Sequence, residues 1–286
     1  DLAATVDGPL GKNASYIASW RRSYLQFLFQ ALGLPFLPRY DDLLFKTKWR
    51  LNERNEISFI GLGAYDVSTL NLKDSTTDFQ KYVLGYLPEN SQWNYSVGAV
   101  YKHYRPKSYS TLVLSRNSLQ NQALKYQDND GSSDANKLLD YTSRETENKL
   151  RFENTGRMGD LKLTYGALLE TAEYSTNTYN KLPYVGTVDY ESVLSLLKYG
   201  AFAQLSGRYL EDRLTLSAGL RMDANTYSKL MSNPLDQFSP RLSVSYGITP
   251  PTAAKNWSSV CDILNPVRTF GQSFNIRTSS SWSRVI

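Results

Sequence analysis

The sequence predicts an all-β protein, an antiparallel transmembrane β-barrel present here as a partial barrel of about 10–11 strands. Three observations predict it. Apolar and polar residues alternate with a two-residue period over segments longer than ordinary soluble strands. Short polar turns alternate with longer polar connections, which is the layout of outer-membrane barrels. Tyrosine is in excess, with 21 Tyr beside 11 Phe and 5 Trp in 286 residues, and such residues suit surfaces that are apolar on one side and wet on the other.

The clearest hairpin begins at Lys198. Tyr199, Ala201, Ala203, Leu205, Gly207 and Tyr209 share one face, and Lys198, Gln204, Ser206 and Arg208 the other. After the turn Leu210-Glu211-Asp212-Arg213, Leu214, Leu216, Ala218, Leu220 and Met222 alternate with Thr215, Ser217, Arg221 and Asp223. Period two on both arms of a short turn is the signature of a hairpin. Leu43, Phe45, Thr47, Trp49 and Leu51 alternate with Lys46, Lys48 and Arg50 before the turn at Glu53-Arg54-Asn55-Glu56. Leu161, Leu163, Tyr165, Ala167 and Leu169 alternate with Lys162, Thr164 and Glu170, and Pro240, Leu242, Val244 and Tyr246 with Arg241, Ser243 and Ser245.

This reading places strands near 1–7, 13–30, 40–52, 56–70, 91–105, 108–125, 139–155, 160–177, 196–210, 213–228 and 238–248. Connections at 71–90, 126–138, 178–195 and 229–237 are read as loops. Helical spacing over Tyr24 to Leu34 leaves a helix or a strand extension open there. Alternation alone does not exclude a soluble sandwich, whose apolar faces pack inward; strand length and the unequal connections favour the membrane. The domain reading is a partial outer-membrane barrel over 1–249 and a divergent tail over 250–286, where alternation stops after Pro250-Pro251. A frameshift, a truncated reading frame or a divergent loop would each produce such a tail.

Composition narrows the function classes. Mean hydropathy is -0.44, and no apolar run of about 18 residues spans a bilayer as a helix. The net charge is +5, but the basic residues are scattered among 27 acids, so nucleic acid is not expected as a partner. One cysteine, Cys261, and one histidine, His103, leave no disulfide framework or usual zinc site, and no catalytic triad unless His103 serves in it. No cofactor and no enzyme activity are expected. Gly61-Leu62-Gly63-Ala64-Tyr65-Asp66 starts like a dinucleotide fingerprint, but Asp66 replaces the third glycine and no helix signal follows. Asp1 to Asp7 lack the basic start and apolar core of an export signal, so processing or a chain beginning within a longer protein is expected.

Four strings carry a resemblance. Asp7-Gly8-Pro9-Leu10-Gly11-Lys12 resembles a GPLG-type periplasmic turn, and Arg21-Arg22-Ser23-Tyr24-Leu25 a segment of receptors bearing a carboxypeptidase-regulatory-like N-terminal domain. Ala218-Gly219-Leu220-Arg221-Met222-Asp223 and Phe238-Ser239-Pro240-Arg241-Leu242-Ser243 resemble two barrel strands. Together, in order, they resemble the barrel of TonB-dependent outer-membrane receptors. That resemblance implies a barrel of about 22 strands around a plug, energy delivered through TonB, and uptake of a large solute such as a siderophore, oligosaccharide or peptide. The implied partners are outer-membrane lipid, the plug and TonB system, and a solute ligand. Unpaired strand edges are not tolerated in hydrocarbon, so these strands are expected to be an internal piece of a longer receptor.

The candidate lumen-facing residues are Lys46, Lys48, Arg50, Glu170, Arg208, Arg221, Asp223 and Arg241, which either touch a plug or solute or pair across strands. Tyr174, Tyr179 and Tyr184 are candidate external-loop aromatics. Competing functions are a passive porin-like or adhesion barrel, or a soluble β-rich carbohydrate-binding module.

Overall fold

The structure, a computed structural model, describes residues 1–73, 76–182 and 184–247, together with the backbone of 258–263. Twelve strands form one sheet in which each neighbours the next in sequence. They are β1 (Leu2–Pro9), β2 (Ala14–Arg22), β3 (Phe36–Asn52), β4 (Asn55–Leu70), β5 (Glu89–Arg105) and β6 (Ser108–Tyr126). The sheet continues with β7 (Lys137–Met158), β8 (Leu161–Leu182), β9 (Gly186–Tyr209), β10 (Leu214–Asn225), β11 (Phe238–Gly247) and β12 (Ser258–Ile263). Two helices, α1 (Leu25–Ala31) and α2 (Asp78–Tyr86), interrupt the meander. Among the described residues no helix is long and apolar enough to cross a membrane.

The register explains the alternation. Thr47 pairs with Tyr16 on one side and Phe59 on the other, and its small polar side chain is buried within an apolar row. Phe45 lies opposite Gly61, and Leu43 opposite Gly63. The two glycines of the false dinucleotide motif are therefore strand positions beside large side chains. Among the described residues the only buried apolar side chains are Leu84, Ala172 and Ala224. Leu43 is 57% exposed and Leu114 59%. The apolar rows are not folded against one another as in a sandwich; they remain exposed, a surface that hydrocarbon is suited to cover.

Three segments and one added strand differ from the sequence reading. The segment 13–30 is not one strand: β2 ends at Arg22 and α1 follows. Ser23 causes the break, its buried backbone N–H donating to the Tyr40 carbonyl at 2.9 Å and its Oγ accepting from the Leu25 N–H at 3.1 Å. The segment 71–90 holds α2, started by a capping box in which Thr77 and Gln80 satisfy each other's backbone donors. The segment 178–195 is not a loop, because β8 runs to Leu182 and β9 starts at Gly186. Gly186 takes φ 117°, a conformation side chains disfavour. Lastly, β12 pairs with β11 beyond the last strand expected, Val244 opposite Cys261. The origin of the remaining tail lies outside the described residues.

Strands β7 and β8 are 22 residues long and β9 is 24. At about 3.3 Å per residue β9 reaches about 80 Å, whereas a tilted membrane strand needs about 9–11 residues. Most of each long hairpin therefore extends past a bilayer, on the side away from the short turns.

The chain clusters into two compact units, Asp1–Tyr101 with Val113–Lys149 and Glu170–Leu196, and Lys102–Leu112 with Leu150–Leu169 and Leu197–Ile286. The first carries α1, α2 and the 3-10 turns at Gln127–Asn129 and Asp134–Asn136. The second carries the turn at 210–213 and a further 3-10 turn at Pro234–Gln237.

Candidate functional site

The polar rows of the sheet hold every charged candidate named from sequence, and strand alternation puts each on the face opposite the apolar rows. In the first unit, Lys48 Nζ lies 2.9 Å from a carboxylate oxygen of Glu56, whose side chain is buried. Arg50 stands in register with Glu56, while Lys46 stands between Ile17 and Ile60. Lys149 bridges Glu147 at 2.6 Å and Glu170 at 3.5 Å, and Tyr174 donates its hydroxyl to Glu147 at 2.9 Å. These cations offset part of the desolvation cost of burying the Glu56 and Glu170 carboxylates.

In the second unit, Arg221 donates to both carboxylate oxygens of Asp223, two residues along the same strand. Arg151 pairs with Glu153 at 2.6 Å and holds its guanidinium 5.9 Å from the centre of the Phe202 ring. Ser217 Oγ donates to Ser206 Oγ at 2.8 Å. Arg241 stands opposite Gly219. Arg208 reaches Asp212 only at 4.0 Å, with both side chains well exposed at a turn, an arrangement of little energetic weight.

The opposite face of the second unit carries a hollow of about 510 Å³ lined by Leu163, Ala203, Leu205, Leu220, Pro240 and Leu242. Gln204 and Arg241 also border it, but its surface is overwhelmingly apolar, so its chemistry fits an acyl chain and not a polar solute.

At the end away from the short turns, the first unit builds a second set of side chains. Lys125 is buried, and its ammonium donates to the Leu84 and Leu87 carbonyls and to Asn129 Oδ1, the last two at 2.9 and 2.6 Å. Burial pushes its pKa below the usual lysine value, against the raising influence of Glu89 and Asp128. Gln80 donates to the Gly33 carbonyl at the other end of α2. The helix is thus clamped at both ends, and it presents Phe79, Tyr82 and Tyr86 to solvent, with Tyr82 and Tyr86 rings 5.0 Å apart. The sequence reading passed over these aromatics. The readable signal was Thr77-x-x-Gln80 followed by aromatics at positions 79, 82 and 86, one helical face. Of the three aromatics it did name, Tyr174 belongs to the Glu147 pair, Tyr179 lies within β8, and Tyr184 is fully exposed at the tip between β8 and β9.

His103 lies near the end of β5, by the short turn into β6. Among the described residues no group of His, Cys, Asp and Glu is placed to hold a metal ion.

Comparison with known families matches residues 19–278 to the model of the TonB dependent receptor-like β-barrel. A comparison with curated protein sequences found no match. Solved structures share the fold at low identity. The ferric enterobactin receptor PfeA of Pseudomonas aeruginosa, in complex with enterobactin, is 17% identical, with a TM-score of 0.61 over 90% of this chain and 40% of that one. The ferric yersiniabactin uptake receptor FyuA of Yersinia pestis is 11% identical, with a TM-score of 0.60 over 90% and 43%. The outer membrane transporter YddB of Escherichia coli is 11% identical, with a TM-score of 0.58 over 86% and 36%. The chain therefore spans roughly two fifths of the length of such structures.

Proposed function

The chain belongs to the TonB-dependent receptor β-barrel family, and we propose that it forms part of the wall of a receptor for active uptake of a large solute. The family is one of receptors and transporters of the bacterial outer membrane. In this reading the polar rows bearing Lys46, Lys48, Arg50, Glu170, Arg208, Arg221, Asp223 and Arg241 turn toward a wet lumen, and the apolar rows toward lipid. The observation that carries it is the single sheet with one apolar face left uncovered and strands that run well past a bilayer's thickness.

The paired lumen charges support a wall that hydrates the interior and meets a plug domain, while Lys46 and Arg241, which form no ion pair among the described residues, remain available to an anionic group. Solute capture falls to the external end. There the clamped α2 offers stacking faces at Phe79, Tyr82 and Tyr86, which suit a sugar ring or an aromatic chelate. Release into the periplasm then depends on the plug and the TonB system.

The test is uptake of labelled ferric siderophores, oligosaccharides and peptides by cells carrying the full-length receptor, with and without functional TonB. Accumulation of one class only in energised, TonB-competent cells is expected. Equal flux without TonB, or steady open-channel conductance of the purified receptor in planar bilayers, would replace this reading with a passive pore.

A further inference from the structure

On β6 the row shared by Leu112 and Leu114 changes character in one step, at Arg116. Leu114 is 59% exposed and Arg116 is exposed. Counted from the short turn, residues 108 to 116 make Arg116 the ninth residue of β6. On the partner strand, residues 158 to 148 make Asn148 the eleventh residue of β7. A tilted strand crosses hydrocarbon in about 9–11 residues, and a cation on the lipid face is tolerated only near the interface. These positions therefore mark the outer edge of the hydrocarbon band.

Two guanidinium groups stand at and just above this edge. Arg116 donates from Nε to the Tyr95 hydroxyl at 3.0 Å and from Nη1 to Asn148 Oδ1 at 2.9 Å. Arg144 donates from Nε and Nη2 to Gln120 Oε1 at 3.2 and 2.8 Å, with its Cζ 5.7 Å from the centre of the Trp93 ring. Trp93 and Tyr95 are stacked, ring centres 6.0 Å apart, and a Ser118–Thr146 hydroxyl pair joins the two strands between the arginines. Every hydrogen-bond acceptor here is neutral. Glu173 shares this face by alternation on β8 but makes no ion pair with either arginine among the described residues. Both cations therefore keep their full charge, are fixed in place, and retain unused N–H donors.

We propose that Arg116 and Arg144, with Trp93 and Tyr95, form a binding site on the outer wall for the phosphorylated headgroup of outer-leaflet lipid. The proposal rests on the facing assigned above, with the Leu114 row toward lipid. Charge complementarity selects the occupant: guanidinium binds phosphate through paired, charge-assisted hydrogen bonds. The apolar band immediately below receives the same lipid's acyl chains, and the interfacial aromatics hold the depth.

The experiment uses the full-length receptor in phosphatidylcholine nanodiscs, titrated with lipid A. Native-like protein should retain lipid A through detergent exchange, and Arg116→Gln and Arg144→Gln should each weaken its binding about tenfold. Lysine at both positions should restore part of the affinity. A Cys261→Ser receptor with a nitroxide at Leu114→Cys reads the facing separately, through collision with oxygen in lipid against a water-soluble nickel complex. Nickel access would overturn the facing and with it the proposal. Oxygen access with lipid A binding unchanged in both glutamine variants would overturn the site alone. Equal binding of phosphatidylcholine would show that the apolar band suffices, and equal competition by inorganic phosphate would replace the lipid by a free anion; either result overturns the assignment.

Discussion

The ring of Phe202, on β9, lies across Gly166, on β8. A methyl group added at Gly166 would meet Phe202 Cε1 at 2.8 Å and the Phe152 carbonyl oxygen more closely still. An aromatic ring thus covers a glycine that exposes backbone, and the same ring lies 5.9 Å from the Arg151 guanidinium.

Gly166→Ala should therefore destabilise the barrel by about 1–3 kcal/mol through overpacking. Phe202→Ala should not rescue it, because the Phe152 carbonyl, a backbone atom, still blocks the added carbon. Urea unfolding in micelles checks this; full rescue in the double variant would refute the backbone clash.

Lys48→Met should cost about 1–2 kcal/mol, because it leaves the buried Glu56 carboxyl without its 2.9 Å partner. The figure is held down by the half-exposed lysine, where solvent screens the pair. Lys48→Met with Glu56→Gln should recover most of the loss. A double variant no better than the single one would mean the pair carries no coupling.

Lipid-face arginines should be graded by depth. Leu205 is the fifth residue of β9 counted from its short turn and Leu216 the third of β10. Leu205→Arg should cost about 2–4 kcal/mol and Leu216→Arg about 1 kcal/mol or less, while Gln204→Arg on the opposite face should be mild. Reinsertion equilibria in vesicles measure all three, and equal effects at positions 204 and 205 would invert the facing.

The turn after β9 holds Leu210, Glu211 and Asp212 at φ 56°, 55° and 65°. Each pays a left-handed penalty of about 1–2 kcal/mol. Glu211→Gly should stabilise by about 0.5–1 kcal/mol net, since glycine also gains freedom in the unfolded chain. A lower unfolding midpoint would contradict this backbone geometry.

The external 3-10 segment should loosen in acid. Asp130 accepts from the Ser132 and Asn136 N–H groups at 3.0 Å each, and these bonds, those from Ser132 foremost, hold its carboxyl below the usual 3.8. A depressed folded pKa gives stability that is present above 3.8 and is lost as pH falls through the lower folded value. Amide exchange at Ser132 should accelerate below about pH 3.8 and be independent of pH effects on structure in Asp130→Asn. Undiminished protection at pH 2 in the native chain would disprove the link.

The strands were legible in sequence because their cause is local: side chains on a strand alternate, so Leu43, Phe45 and Leu51 mark one face without knowledge of any neighbour. The short turns were legible for the same reason. The break at Ser23 was not, since it depends on the Tyr40 carbonyl on the next strand. The hairpin tip near Gly186 was hidden because a strand that extends above the membrane needs no continuous apolar row to reveal it.

By itself the sequence determined which residues belong to the greasy rows and which to the wet ones, because two-residue periodicity is a property of the chain. Only the tertiary structure decided that Lys48 meets Glu56, that Lys125 holds the end of α2, and that Arg116 reaches Tyr95 and Asn148 while Arg144 reaches Gln120 and Trp93. Those outcomes depend on the register between strands, which hydrogen bonding between distant segments sets and no local pattern encodes.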